Sequence, residues 1–225
     1  MANREPFGFD EWYHCFNRGV DKRNVFENEI DADRFLMLLY AANGTKSVDL
    51  YNIERPQLKK VFQSDRGERL VSIGSYCLMP NHFHLLIKQI TDNGISIFMR
   101  KLGIAYTMYF NAKNARTGNL FLRPFRSRHV GTDRYFQRVL RYIHCNPAEL
   151  FEVGWKSGRL RNMRLLERKL AEYPYSSLRS YTDRGDPNPI LSAEGFDIAD
   201  HPSVRSMLED ARGYYAELQR DSFER

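Results

Sequence analysis

The stretch LVSIGSYCLMPNHFHLLIKQI, residues 70–90, reads as two strands folded back on one another. LVSIGSYCLM, with Val71, Ile73 and Tyr76 in a largely apolar run, reads as a strand, Pro80-Asn81 breaks the run as a tight turn, and HFHLLIKQI returns as the antiparallel partner. Upstream, the aromatic run over 11–18 predicts a first strand leading to Gly19. Asp31 then caps a helix whose apolar residues Phe35, Leu38, Leu39 and Ala42 recur at helical spacing, and Asn43-Gly44 stops it. Residues 45–69 are polar, with turn signals at Arg55-Pro56 and Asp65-Arg66-Gly67, and predict an irregular or short-stranded excursion. Downstream, Asp92 or Asn93 with Gly94 opens a helix that keeps Ile95, Phe98, Leu102, Tyr106, Tyr109 and Phe110 on one face. Residues 119–130 read as a further strand with Pro124 at an edge or bulge, and Asp133 caps a helix that Pro147 ends.

Strand, helix, strand, strand, helix, strand is the split βαβ order of a ferredoxin-like α+β sandwich with an antiparallel sheet, here with one more helix appended. In that layout two helices cover one sheet face, and the other is left for a ligand or for the extra helix. The sandwich with its appended helix is assigned to residues 1–150. Residues 151–225, rich in Arg, Lys, Ser and Tyr, form a C-terminal extension expected to pack on the core as a helix and then loops, with DNA contacts from its basic run SGRLRNMRLLERK and a last helix in HPSVRSMLEDARGYYAELQR.

A 42% hydrophobic and 13% aromatic content supports a packed interior, while a mean hydropathy of −0.57 argues for a soluble protein without a membrane span. Lys and Arg exceed Asp and Glu by 34 to 28, which favours a polyanionic partner. The three cysteines form no CxxC pair, so neither a disulfide framework nor a cysteine-based zinc site is indicated. MANREPFGFDEWYH carries charges of both signs and no apolar stretch like that of a secretory signal, and the expected location is the cytoplasm, at the nucleoid.

Within the hairpin, His82 and His84 are two apart on a strand and so share a face, while Phe83, Leu85 and Ile87 share the other. Two imidazoles with Cα atoms about 7 Å apart can converge on one ion, given a third ligand. Taken alone, an HxH pair also occurs on strands without function. The position of this one, directly after a turn on a strand expected to be central, favours the metal reading. On the helix ended by Pro147, Tyr142 and Asn146 are four apart and lie on one helix face, separate from the stripe Phe136, Leu140 and Ile143. Asn146 offers a carbonyl oxygen as third metal ligand, and Tyr142 a hydroxyl beside it. Without the histidines, Tyr142 would read as a packing residue.

YCLMPNHFHLLI (76–87) followed by LRYIHCNPAEL (140–150) resembles the single-tyrosine HUH transposases, and within them the REP-associated tyrosine transposases. The similarity runs over residues 10–150, including the NRG loop at 17–19 and TGNLF at 117–121, and continues more weakly into YPYSSLRSY at 173–181. The resemblance implies a divalent ion, Mg2+ or Mn2+, on His82, His84 and Asn146. It also implies Tyr142 as the nucleophile that becomes linked to a 5′ phosphate, and a hairpin DNA substrate with an adjacent single-stranded guide. A basic contact of the fourth strand falls here on Arg123 or Arg126.

Arg123, Arg126, Arg128, His129, Arg134, Arg138 and Arg141, with Arg18 of the NRG loop, make a basic track for single-stranded or hairpin DNA, and interleaved Tyr13, Phe121, Phe125 and Tyr135 are candidates for base stacking. The expected activity is metal-dependent cleavage and rejoining of single-stranded DNA near palindromic repeats. Alternatives are a non-catalytic single-stranded DNA or RNA binding module and a hydrolase of another phosphodiester, for which Tyr142 would be dispensable. The extension is expected to cap the surface a dimer would use, which favours a monomer over a homodimer.

Overall fold

The computed structural model describes residues 6–50, 58–157, 159–183, 188–200 and 202–223. The Arg55-Pro56 turn signal lies outside the described residues. Strand β1 (Trp12–Arg18) is followed by helix α1 (Glu29–Ala41), a short α2 (Leu58–Phe62), the hairpin β2 (Val71–Met79) and β3 (His82–Gln89), helix α3 (Gly94–Lys113) and strand β4 (Arg126–Val130). Then come α4 (Asp133–Cys145), α5 (Ala148–Phe151), α6 (Met163–Glu172), α7 (Leu178–Thr182), α8 (Ala193–Ile198) and α9 (Val204–Phe223). The four strands form one sheet in the order β2-β3-β1-β4, every neighbouring pair antiparallel. This is the ferredoxin-like α+β sandwich that the element order implied. Among the described residues no helix is long and apolar enough to cross a membrane.

Local chemistry explains where the elements begin. The cap of α1 is Asn28, whose side chain accepts from the Asp31 backbone N–H; Asp31 lies one turn in and is fully buried. There its carboxylate holds Lys113 and the Tyr109 hydroxyl of α3, tying the two helices together. Thr132, one residue before Asp133, caps α4 through the Tyr135 N–H. Both caps differ from the residues expected because Asn and Thr at these positions have the extended backbone that a cap needs. The expected strand 119–130 is shorter, at Arg126–Val130. Residues 120–122 pair beside β1 through a bridge from Phe121 to Gly19, but Pro124 has no N–H to continue the ladder.

Alternation along the strands splits the interior. Tyr13, Cys15, Phe83, Leu85 and Ile87 pack under α1 and α3 with Phe35, Phe98, Leu102 and Tyr106, closing that face completely. On the other face Trp12, Leu86, Cys77 and Met79 meet Phe136, Val139, Leu140 and Ile143 of α4, so the apolar stripe of α4 is docked as its spacing implied. A register shift beside Gly74 flips the alternation of β2. A Cβ on Gly74 would sit 3.0 Å from the Trp12 ring, which reaches across β3 from β1, and would press into that packing.

Residues 151–223 are more helical than expected and complete the sheet. The outer edge of β2 is hydrogen-bonded by chain from the extension: Leu78 N–H donates to Tyr175 O at 2.8 Å, Ser177 N–H to Tyr76 O at 3.0 Å, and Ser192 N–H to Ile73 O at 2.9 Å. Helix α9 then lies against α4, with Tyr214 buried among the α4 side chains.

Candidate active site

His82 and His84 point to the α4 face of β3, as the strand period requires, and their rings meet edge-on with centroids 5.0 Å apart. Strand register brings further polar groups to the same face. Arg18 lies opposite His82, Phe16 opposite His84, Arg126 opposite Phe16 and Arg128 opposite His14. Each histidine of the pair has its Nδ1 engaged: that of His82 by Asn81 Oδ1 at 2.7 Å, that of His84 by His14 Nε2 at 2.9 Å. No hydrogen bond among the described residues uses either Nε2.

Burial keeps these rings neutral. The His84 pKa is driven well below the usual imidazole value by desolvation and then by His82 and His14. That of His82 falls to about 4 through desolvation and Arg18, with Glu149 opposing, and that of His14 to about 3 through desolvation and Arg128. Neutral imidazole is the form that ligates a metal ion.

Tyr142 stands over the histidines, its ring centroid 5.4 Å from His84 and 5.6 Å from His14. Its other side is covered by Tyr215 at 4.7 Å and Tyr214 at 4.9 Å, both from α9, leaving it only 6% exposed. Desolvation pushes the phenol up to about 12, against hydrogen bonding with Tyr215 and Asn146 that pulls it down. Asn146 ends α4, where Pro147 cannot extend the helix, and its Nδ2 donates to the Tyr142 carbonyl at 2.8 Å. A carbonyl can only accept, so this bond fixes the amide orientation. Oδ1 then accepts from the Tyr215 hydroxyl at 2.8 Å and retains a second lone pair.

The donor set can be tested against a metal ion. Among the described residues no three His, Cys, Asp or Glu side chains assemble into a metal cluster, so an ion on His82 and His84 needs an uncharged third ligand. The Asn146 oxygen is such a ligand, and two neutral imidazoles with an amide oxygen suit a divalent ion.

The arginines divide. Arg18, Arg123 and Arg126 are exposed and Arg128 is half-buried. Arg138 lies over the Tyr214 ring at 5.5 Å, and Arg141 is held by Asp200 and Asp210, which commits its charge to the extension. The aromatic candidates turn mostly inward: Tyr13 and Phe121 belong to the closed core, Phe125 stacks on Phe7, and the Tyr135 hydroxyl bonds that of Tyr214. Residues not singled out from the sequence are His14, Tyr214, Tyr215 and the Glu149–Lys156 pair at 2.6 Å, whose Lys156 lies 4.1 Å over the Tyr215 ring. For His14 a signal existed, since it is the polar residue in phase with Trp12 and Phe16.

The family described as transposase, IS200-like, matches residues 9–146, more than half of the chain and the whole span from β1 to Asn146. The chain belongs to the IS200-like transposase family. This IS200-like transposase is similar in fold to a solved REP-associated tyrosine transposase bound to a REP hairpin. The TM-score is 0.50 at 13% identity, covering 90% of this chain and 95% of the other. That coverage takes in the extension as well as the sandwich. No curated protein matches the chain.

Proposed function

We propose that this IS200-like transposase is a metal-dependent endonuclease and strand transferase for single-stranded DNA, cutting near hairpin or palindromic repeats through a 5′-phosphotyrosine link. The observation that carries the reading is the placement of the Tyr142 ring 5.4 Å from His84, with Asn146 bonded to the same turn of helix. His82, His84 and Asn146 would hold Mg2+ or Mn2+, which when bound supplies polarisation of a nonbridging phosphate oxygen. Tyr142 attacks phosphorus through its phenolic oxygen, the P–O3′ bond breaks, and the 3′ oxygen leaves as a hydroxyl. The phosphate stays on Tyr142 through its 5′ side, so the reverse attack rejoins the strand. Hydrogen bonding from Asn146 and Tyr215 favours the phenolate against the effect of burial. Because Tyr214 and Tyr215 cover Tyr142, docking of DNA requires α9 to shift.

Arg18 and Arg126, exposed on the site face, and Arg123 beside them are the candidates for phosphate contacts. The likeness to a transposase solved with a REP hairpin supports hairpin DNA as substrate. Incubation with a labelled single-stranded hairpin and Mn2+ should yield a covalent adduct in the wild type and none in Tyr142→Phe. Equal strand scission by the two would remove Tyr142 from the mechanism. Hairpin binding without scission, unchanged by chelator, would make the protein a binding module.

A further inference from the structure

His14 is a buried histidine to which the metal reading gives no role, and two facts about it are unusual. Its Nε2 lies 2.9 Å from His84 Nδ1, with the rings stacked at 5.1 Å, and its Nδ1 is buried without a hydrogen-bond partner among the described residues. The first follows from register: His14 pairs with Leu86, so His84 is its diagonal neighbour across the β1–β3 ladder. The second costs stability, and a phenylalanine in phase with Trp12 and Phe16 would fill the same space without it.

Only one hydrogen can lie between the two rings. If His14 donated it, His84 would accept at Nδ1 and, being neutral, would carry its own proton on Nε2, where it blocks the lone pair a metal needs. If His84 donates from Nδ1, its Nε2 is open, and His14 carries its proton on the orphaned Nδ1. Asn81 makes the matching bond to His82, because its carbonyl oxygen accepts from Nδ1 and leaves Nε2 open there too.

We infer that His14 is a positioning residue that accepts the Nδ1 proton of His84, fixing that ring in the tautomer and orientation that ligate a divalent ion through Nε2. The inference rests on the reading of His82, His84 and Asn146 as ligands. A carbonyl oxygen placed where Nε2 lies would do the same work. Glutamine reaches that position, asparagine is too short, and phenylalanine fills the space with no acceptor.

The test is Mn2+ binding by calorimetry without DNA, with thermal unfolding in parallel, for the wild type and for His84→Ala, His14→Phe and His14→Gln. His84→Ala should lose binding. His14→Phe should weaken it about 10- to 100-fold with no loss of melting temperature, while His14→Gln stays within about threefold of wild type. In the metal-free wild type, 15N shifts of His84 should show the proton on Nδ1. Wild-type affinity in His14→Phe, or equal loss in His14→Gln, would overturn the role of His14 alone. A proton on Nε2 of His84 would do so even if His14→Phe failed to fold. Absence of Mn2+ binding by the wild type, or full binding by His84→Ala, would overturn the metal site itself.

Discussion

Under α1 and α3, Phe35 meets Phe83 at 4.9 Å and Tyr106 at 5.0 Å, an interlocked aromatic core in which alternate residues of β1 and β3 vanish from solvent. On the reverse of the same strands, His14 and His84 are just as buried, yet they are polar, and one ring nitrogen has no partner among the described residues. Burying apolar surface stabilises a fold by about 25 cal/mol per Å2, whereas a buried polar group costs free energy unless it is fully bonded. The two faces therefore answer to different demands: the first holds the sheet, and the second keeps imidazole, amide and phenol at fixed separations despite the cost.

Substitutions on the two faces should part company in what they damage. The largest effect is expected from Tyr142→Phe, with covalent adduct reduced by about 10^3-fold or more while the melting temperature moves by only a few degrees. Phe35→Ala, in the closed core, should do the opposite. Denaturant titration should show about 3–5 kcal/mol of lost stability, with adduct formation per folded molecule unchanged. A comparable rate defect in the folded fraction would mean that the closed face tunes the chemistry.

Acid should act where α4 meets the extension, at buried His144, whose Nε2 lies 2.9 Å from Ser177 Oγ. Desolvation lowers the His144 pKa to about 3, against an unfolded value near 6.5, so the unfolded chain takes up a proton that the fold refuses. Stability is retained above pH 6.5 and lost as pH falls from there towards 3. Between pH 6.5 and 4.5, unfolding in chelator should register about 2–3 kcal/mol from this residue. Replacement by glutamine, which keeps a partner for Ser177, should flatten that slope.

The smallest effects separate two kinds of arginine. Arg126→Ala should weaken hairpin DNA binding by roughly 3–10-fold and reduce the slope of log affinity against log salt by about one. Arg141→Ala, which releases Asp200 and Asp210, should lower the melting temperature by a few degrees and leave the salt slope alone. An equal change in slope for both would place Arg141 on the DNA path.

What could be read from residue order was whatever depends on near neighbours. The hairpin at 70–90 was legible because two β-forming runs flank Pro80-Asn81, and the His82–His84 and Tyr142–Asn146 pairs because each is one period of its own element. The caps were displaced by one to three residues because Asp satisfies the same composition rule as the Asn28 and Thr132 that hold the cap backbone. His14 was not legible as a partner of His84, since that relation exists only in the β1–β3 register across 70 residues. Nor could the cover over Tyr142 be seen, because Tyr214 and Tyr215 come to α4 only when α9 docks.

The edge of β2 is sealed by chain that lies 101 residues further on, where Ser177 bonds to Tyr76. At about 5–20 residues per second of synthesis, that strand waits roughly 5–20 s for its cover. Through that interval the nascent sheet offers a row of unpaired amides to any other extended chain nearby. Crowded translation of several copies from one message should thus be the moment of greatest aggregation hazard. A slow codon stretch before residue 173 would lengthen it.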